Sequence, residues 1–328
     1  MIATVLNEGE SIRRLLDSLV AQTRPPDEVI FVDGGSTDNT VTVLREYEDR
    51  LALRVLVEPG SNISAGRNRA IAAAQGDIIA VTDAGVVLAP DWLERITQPL
   101  LDDPSLEVVS GFFSADPATI FEAALGATTL PLADEISPET FLPSSRSLAL
   151  RKAAWITAGG YPEWLDYCED LILDLRLRKI AAPTMFEPRA LVYFRPRPTL
   201  ESFFRQYYRY ARGDGKADLW RKRHAVRYAT YFIAAPLILL LGWRVHKALW
   251  GLFLPGAYVY LRDPYRRLRV VLDEASRAGK PHVTPEDNLM ALALVPIIRV
   301  AGDVAKMIGY PVGWLWRLKN RPPDWRDV

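Results

Sequence analysis

From Ile2 to Thr82 the chain repeats one pattern: a short apolar run, a polar turn, then apolar positions spaced for one face of a helix. Ile2 to Leu6 reads as a short first strand, and Asn7-Glu8-Gly9-Glu10-Ser11 turns into a helix with Ile12, Leu15, Leu16 and Leu19 on one face. Pro25-Pro26 closes that helix before an apolar, β-branched and aromatic strand, Val29 to Val32. Leu53 to Val57 and Ile78 to Thr82 are further strands, the second preceded by an alanine-rich helix, Ala70 to Ala74, that ends at Gly76-Asp77. Strands alternating with helices predict right-handed crossovers and parallel pairing. The fold class is therefore α/β, a mostly parallel sheet sandwiched by helices.

Two carboxylates stand where strands should end. Asp33 follows Val32, and Gly34-Gly35 allow a tight reversal. Ser36, Thr37 and Asp38 offer N-cap oxygens to a helix through Val41, Leu44 and Tyr47. Asp83-Ala84-Gly85 closes the strand Ile78 to Thr82 in the same way. Open α/β sheets bind nucleotides at the carboxyl ends of their strands, where such aspartates can accept from ribose hydroxyls or a base N–H. An ordinary turn aspartate would give the same local pattern. If the two strands neighbour one another, the two carboxylates converge.

Beyond residue 220 the pattern changes. Ala225 to Trp243 is apolar except at Arg227 and Thr230, close to the ~20 residues needed to cross hydrocarbon. Ala248 to Leu261 is a shorter apolar stretch broken by Pro255-Gly256, and Leu289 to Val300 opens a third, amphipathic element running to Trp316. Charge divides with it: residues 1–220 hold 22 basic and 32 acidic side chains, residues 221–328 hold 18 and 8. A basic, aromatic-rich tail suits a surface of anionic lipid, and the overall balance disfavours a nucleic-acid binder. Basic clusters before the first apolar stretch and after the second would keep both ends cytoplasmic if the pair forms a hairpin. Buried helices of a larger domain, or helices lying in the interface, fit the same residues. Asn7, Glu8 and Glu10 interrupt any signal peptide. The single cysteine, Cys168, excludes an intrachain disulfide and a multi-cysteine zinc site.

Five motifs in order point further: Asn7-Glu8, Val32-Asp33-Gly34-Gly35-Ser36-Thr37-Asp38, Gly66-Arg67-Asn68 with Thr82-Asp83-Ala84-Gly85, Gly159-Gly160-Tyr161 followed by Glu169-Asp170, and Gln206-Tyr207-Tyr208-Arg209-Tyr210. Together they resemble the inverting family 2 glycosyltransferases of the GT-A fold, in their exopolysaccharide variety, over roughly residues 1–216. The resemblance implies a nucleoside-diphosphate sugar as donor and a lipid-linked or saccharide acceptor. It places Asn7, Glu8 and Asp33 in the base and ribose pocket, Arg67 at the nucleotide or its phosphates, and Asp83 at the diphosphate. Asp170 would be the catalytic base, oriented by Glu169. Gln206 and Arg209 would approach the diphosphate or acceptor, with Tyr210 as a stacking platform in place of the usual tryptophan. Asp83 occupies the first position of the family's metal motif, but Gly85 replaces its second carboxylate. Either Asp83 holds Mg²⁺ or Mn²⁺ with phosphates and water, which is the favoured reading, or cationic side chains share the neutralisation.

The residues themselves leave room beside that reading. Carboxylates in a helix's first turn also serve as simple caps, and Pro143-Ser144-Ser145-Arg146-Ser147 reads as a polar turn. The expected organisation is a catalytic domain over residues 1–222, cytoplasmic, and a membrane-associated helical region over 223–328. A membrane-anchored nucleotide-sugar binder without catalysis is the alternative, motivated by Gly85 and the short first strand. The leading reading requires Asp33, Asp83 and Asp170 to line one pocket.

Overall fold

The computed structural model describes residues 1–277 and 284–327. They form two compact units: Met1–Ser114 with Leu132–Arg195 and Pro322–Val328, and Ala115–Pro131 with Pro196–Arg321. In chain order the first unit contributes β1 (Ile2–Val5), α1 (Arg13–Val20), β2 (Val29–Asp33), α2 (Thr40–Arg45), β3 (Leu53–Val57), α3 (Ile63–Ala73), β4 (Ile78–Val81), β5 (Val86–Leu88), α4 (Trp92–Asp102) and β6 (Val108–Ala115). After α5 (Ile120–Thr129), a helix of the second unit, come β7 (Leu148–Arg151), α6 (Lys152–Thr157), α7 (Glu169–Lys179) and β8 (Thr184–Phe194).

The strands form one sheet in the order β3-β2-β1-β4-β7-β6-β8-β5. Its first half is parallel, as the alternation predicts, with Ile2 opposite Ile30 and Val5 opposite Asp33. The second half turns antiparallel at β4–β7, β6–β7 and β5–β8. Alternation stops at Asp83, where β5 follows β4 after a short turn with no crossover helix between them, so the sheet as a whole is mixed. β1 lies between β2 and β4, so the strands that end in Asp33 and Asp83 are not neighbours, and the two carboxylates stand at the same end of the parallel half one strand apart.

The sheet buries both faces, which explains why β2 is apolar without alternation. On one side Leu15, Leu16, Leu44, Trp92 and Ile96 cover Ala3, Val5 and Phe31. On the other, Ala70, Ile71, Leu173 and Leu177 cover Ile2, Ile30 and Val32. Gly66 lets α3 lie close on β1, since a Cβ there would come within 2.8 Å of Thr4 Cγ2.

The second unit is helical: α5, α8 (Leu200–Lys216), α9 (Arg221–Ala229), α10 (Ala235–Arg244), α11 (Phe253–Arg277) and α12 (Pro285–Asn320). The glycines Gly215, Gly309 and Gly313 bring α8 and α12 together backbone to backbone, because any Cβ at these positions would overlap the facing chain. This contact draws α8 into the helical unit, so the units part at Arg195 and Pro196 rather than near residue 222. A π-turn, Thr230–Ala234, joins α9 to α10. The resulting helix, Arg221–Arg244, has 24 residues and a mean hydropathy of 1.6 in its most apolar window. Among the described residues it is the one helix long and apolar enough to cross a membrane. Phe232, Ile233, Leu237 and Leu240 on it are exposed. The second apolar stretch becomes a 3-10 turn, Lys247–Leu252, that leads into α11.

Candidate active site

At the end of β2, Asp33 is fully buried. Its Oδ2 accepts from the backbone N–H groups of Gly35 (3.0 Å) and Ser36 (2.9 Å), and the Ser36 hydroxyl donates to Oδ1. Ser36 is thus spent on Asp33 and does not cap α2. Asn39 holds that N-cap position without a side-chain bond, while Asp38 Oδ1 accepts from the Thr40 N–H at 3.0 Å. Thr37 donates its N–H to Asn7 Oδ1 at 2.8 Å, and Asn7 donates its own N–H to Ser36 Oγ at 2.8 Å. The Glu8 N–H donates to Thr40 Oγ1 at 2.9 Å. The polar residues expected to start a helix instead stitch the Asn7-Glu8 turn to the Asp33 turn, so these three candidate donor residues form one rim.

A second centre is built around Arg67. This guanidinium, 2% exposed, bridges two carboxylates: Nη2 reaches Asp83 Oδ1 at 2.7 Å and Nη1 reaches Glu169 Oε1 at 2.6 Å. Its charge also lies over the Tyr161 ring, 5.2 Å from the centroid. Arg146 Nε approaches Asp83 Oδ2 at 3.3 Å, and the Arg146 guanidinium sits 4.6 Å from the Phe194 centroid. Three candidate residues from distant stretches, Arg67, Asp83 and Glu169, therefore meet.

Asn62 and the first half of α3 hold the loop that leads into Glu169 and Asp170, the first two residues of α7. Asn62 Nδ2 donates to the Glu163 carbonyl (2.7 Å), and Ser64 Oγ to the Leu165 carbonyl (3.0 Å). Asn68 donates to the Tyr161 carbonyl (2.8 Å) and accepts from the Tyr161 N–H (2.9 Å) and from Trp155 Nε1 (3.2 Å). Gly160, at φ 67, admits this side chain, since a Cβ would stand 2.9 Å from Asn68 Oδ1. Cys168, buried and left-handed at φ 67, turns the loop into α7.

Burial sets the electrostatics. It works against the charge of Arg67, but Asp83 and then Glu169 hold that guanidinium above its ordinary range. Burial, with the charge of Asp170 adding and Arg67 opposing, pushes Glu169 up to about 7. Burial likewise raises Asp170 despite Arg67. Asp170 Oδ1 accepts from the Leu171 N–H at 2.9 Å in the first turn of α7. A carboxylate raised toward neutrality is a stronger general base than an ordinary one. One turn further along α7, Asp174 is buried and raised well above the usual range by burial and by Asp170. Its Oδ2 is buried with no hydrogen-bond partner among the described residues.

Gln206, Arg209 and Tyr210 lie on α8 in the second unit, where Gln206 Nε2 donates to the Tyr210 hydroxyl at 2.8 Å. Arg146, read as part of a polar turn, proves to be a partner of Asp83. The turn itself is anchored: Thr82 Oγ1 donates to the Arg146 carbonyl at 2.7 Å, and Ser147 Oγ to the Ala190 carbonyl at 2.9 Å. Its alternation of serine and arginine beside an apolar run was the available signal. Asp174, an acid between the apolar Leu173 and Leu175 with Leu177 a turn on, was a signal too.

The residues present suit a divalent cation in one mode only. No group of three or more His, Cys, Asp or Glu converges among the described residues, and a Cβ at Gly85 would meet open space. Asp83, with 29% of its side chain exposed, is a single carboxylate whose oxygens already meet Arg67 and Arg146, so a cation arriving there with the substrate would share it with those two guanidinium groups. A single carboxylate matches Mg²⁺-type sites in which one or two carboxylates complement the phosphates of the substrate.

Residues 1–131 match the family described as Glycosyl transferase family 2. They form a family 2 glycosyltransferase domain. The chain is 28% identical to the succinoglycan biosynthesis protein ExoA of Rhizobium meliloti (strain 1021) over 297 residues, 83% of this chain and 89% of ExoA. It is 32% identical to the glycosyltransferase YibD of Escherichia coli (strain K12) over 104 residues, 31% of this chain and 30% of YibD. The mannosyltransferase PcManGT of Pyrobaculum calidifontis, solved with GDP-Man and Mn²⁺, superposes with a TM-score of 0.54 at 19% identity, covering 98% of this chain and 86% of that one. TarS 1-349 of S. aureus, solved with UDP-GlcNAc, gives 0.52 at 17% identity, covering 97% and 90%. At such identities the likeness is one of fold, and the fold is GT-A. The protein is a glycosyltransferase enzyme, and the reading as a binder without catalysis falls away.

Proposed function

We propose that this glycosyltransferase moves a sugar from a nucleoside-diphosphate donor to a lipid-linked or polysaccharide acceptor, with inversion, in cell-surface or exopolysaccharide synthesis. The observation that carries the reading is the Arg67 bridge, which fastens the strand-end carboxylate Asp83 to the first turn of α7, which bears Glu169 and Asp170. It couples the proposed diphosphate position to the proposed base.

In this mechanism Asn7, Glu8 and Asp33 hold the base and ribose, while Arg67 and Asp83 flank the diphosphate. Mg²⁺ or Mn²⁺ on Asp83 and the donor phosphates would neutralise the departing diphosphate. Asp170 takes the proton of the acceptor hydroxyl as that oxygen bonds to the anomeric carbon from the face opposite the leaving group. The bond from that carbon to the diphosphate oxygen breaks, and the electron pair leaves with the nucleoside diphosphate. Glu169, locked by Arg67, orients Asp170. General-base help of this kind contributes about 10²–10⁴ in rate. Gln206, Arg209 and Tyr210 receive the acceptor or the diphosphate. The role that ExoA's name gives it in succinoglycan biosynthesis supports the polymer acceptor. The exposed apolar helix Arg221–Arg244 supports placement at the cell membrane, and the basic clusters beside the apolar stretches favour a cytoplasmic catalytic domain.

The test is a panel of labelled UDP- and GDP-sugars given to the full chain in membranes, with and without Mn²⁺. Transfer with an inverted anomeric configuration is expected. Asp170→Asn should lower turnover by about 10²–10⁴ while donor binding survives. Unchanged turnover removes Asp170 from the mechanism, and a retained configuration overturns the direct displacement.

A further inference from the structure

The helical unit contains a buried charged network that the mechanism above does not use. Asp303 of α12 accepts from Arg227 Nε (2.7 Å), Tyr260 Oη (2.5 Å) and Tyr231 Oη (3.2 Å). Its carboxylate is fully engaged, and Arg227 uses it up as counter-ion. Two more cations stand on the same face of α12, at spacings of four and three residues either side: Arg299 and Lys306. Arg299 lies 4.8 Å from the Tyr260 centroid, and its Nε is buried with no hydrogen-bond partner among the described residues. Lys306 lies 4.8 Å from the Tyr207 centroid. Among the described residues neither has a carboxylate partner. The other acid whose field reaches Lys306, Asp214, faces His224 Nε2 at 3.1 Å. Burial, with the charges of Arg227 and Arg299 adding, brings the Lys306 ammonium down to about 8.

Half-buried cations on one helix face without a matching anion are costly, because desolvation and mutual repulsion act together. Ionisable groups among apolar helices mark ligand positions more often than structural ones. Arginine offers a planar fork to phosphate oxygens and lysine a point charge, so the pair suits a phosphate group. The chemistry of the surroundings narrows the ligand: the same unit exposes Phe232, Ile233, Leu237, Leu254 and Val259.

We propose that Arg299 and Lys306, with Arg227 beside them, bind the phosphate of a lipid-borne anion: the phosphate or diphosphate that joins the acceptor sugar to its hydrocarbon chain. The proposal rests on the lipid-linked acceptor of the proposed function. It assigns the C-terminal helices to holding the acceptor by its phosphate as well as to meeting the membrane. Tyrosine rings on either side would line the entry of the chain, and the anion would complete the charge balance that Asp303 leaves short.

The experiment uses the full chain in phosphatidylcholine nanodiscs and farnesyl diphosphate as probe. Farnesyl diphosphate should bind, farnesol should not, and R299Q/K306Q should weaken the probe at least about tenfold, the scale of one lost charge-assisted contact. Nucleotide-sugar binding should be unchanged in that variant, which also reports that it is folded. Lys306→Arg, keeping the charge, should restore most of the affinity. Unchanged probe affinity in the double variant, or farnesol binding as well as its diphosphate, overturns the site. Displacement of the probe by phosphatidylglycerol at equal surface density would assign the site to a bulk headgroup and overturn the acceptor assignment. Probe binding that survives while the wild-type enzyme transfers sugar only to water-soluble saccharides would sink the lipid-linked acceptor and leave the phosphate site standing.

Discussion

Asp33 and Arg67 both sit where the parallel strands deliver their ends, yet they are held in opposite ways. Asp33 is satisfied by its own turn: Gly35 and Ser36, two and three residues on, supply every donor seen at its carboxylate. Arg67 is paired only across the fold, its two Nη atoms by Asp83 and Glu169, 16 and 102 residues away, while its buried Nε has no partner among the described residues. The first arrangement can form in a short peptide; the second exists only once α3 has docked on the sheet and clasped the loop before α7. One carboxylate of a binding rim can be satisfied by its own turn, whereas a centre that must align a leaving group with a base is made by long-range contacts.

The largest test of this contrast is Arg67→Met, which leaves Glu169 and Asp83 without their shared counter-ion. Stripping one partner from a buried ion pair costs about 3–5 kcal/mol. Urea unfolding should show a loss of that order together with lost transfer. A change within ~0.5 kcal/mol, the scale of an ordinary surface substitution, would mean the bridge holds nothing together. Asp33→Asn should cost less, about 1–2 kcal/mol, since the turn keeps one acceptor and forfeits only charge-assisted strength. Its kinetic mark should be a raised donor KM with kcat little changed, the reverse of Asp170→Asn; equal loss in kcat would erase the proposed division of labour.

Titration sharpens the same contrast. Glu169, at about 7 in the fold against 4.5 ordinarily, favours its protonated form when folded. Its contribution to stability is therefore full below about 4.5 and is lost as pH rises toward 7. Catalysis runs the other way, because the base must be unprotonated: kcat/KM should climb as pH rises through the raised range of the Glu169–Asp170 pair. Glu169→Gln should move that rise to lower pH, and an unmoved acid limb would uncouple the two carboxyls. The smallest expected effect is at Asp174. Its raised carboxyl weakens the fold as pH climbs above the usual carboxylate range, so Asp174→Asn should raise the thermal midpoint at pH 7 by a few degrees, and by less at pH 4. A lower midpoint at pH 7 would give the ionised carboxylate a structural role.

Much of this was legible along the chain, and the exceptions share a cause. The four parallel strands follow from apolar runs whose side chains are buried on both faces. The ends of β2 and β4 announced Asp33 and Asp83, and the first turn of α7 announced Glu169 and Asp170. The antiparallel strands β5, β6 and β8 were not anticipated, because their pairing involves no local alternation with helices. Ser36, Thr37 and Asp38 carried the composition of a cap; Ser36 and Thr37 turn instead to Asp33 and Asn7, and only Asp38 meets the helix, accepting from the Thr40 N–H. Arg146 looked like part of a solvated turn, and only the anchoring of that turn by Thr82 and Ser147 aims it at Asp83.

The sequence by itself determined the α/β class, the strand-end carboxylates, the resemblance to family 2 and the apolar character of the last third, since each depends on side chains close together along the backbone. The pairing of Arg67 with Glu169, the transfer of α8 into the helical unit and the surplus of cations around Asp303 were decided only in three dimensions. They arise where burial strips water from charged groups, and which charges then face one another depends on how the helices dock.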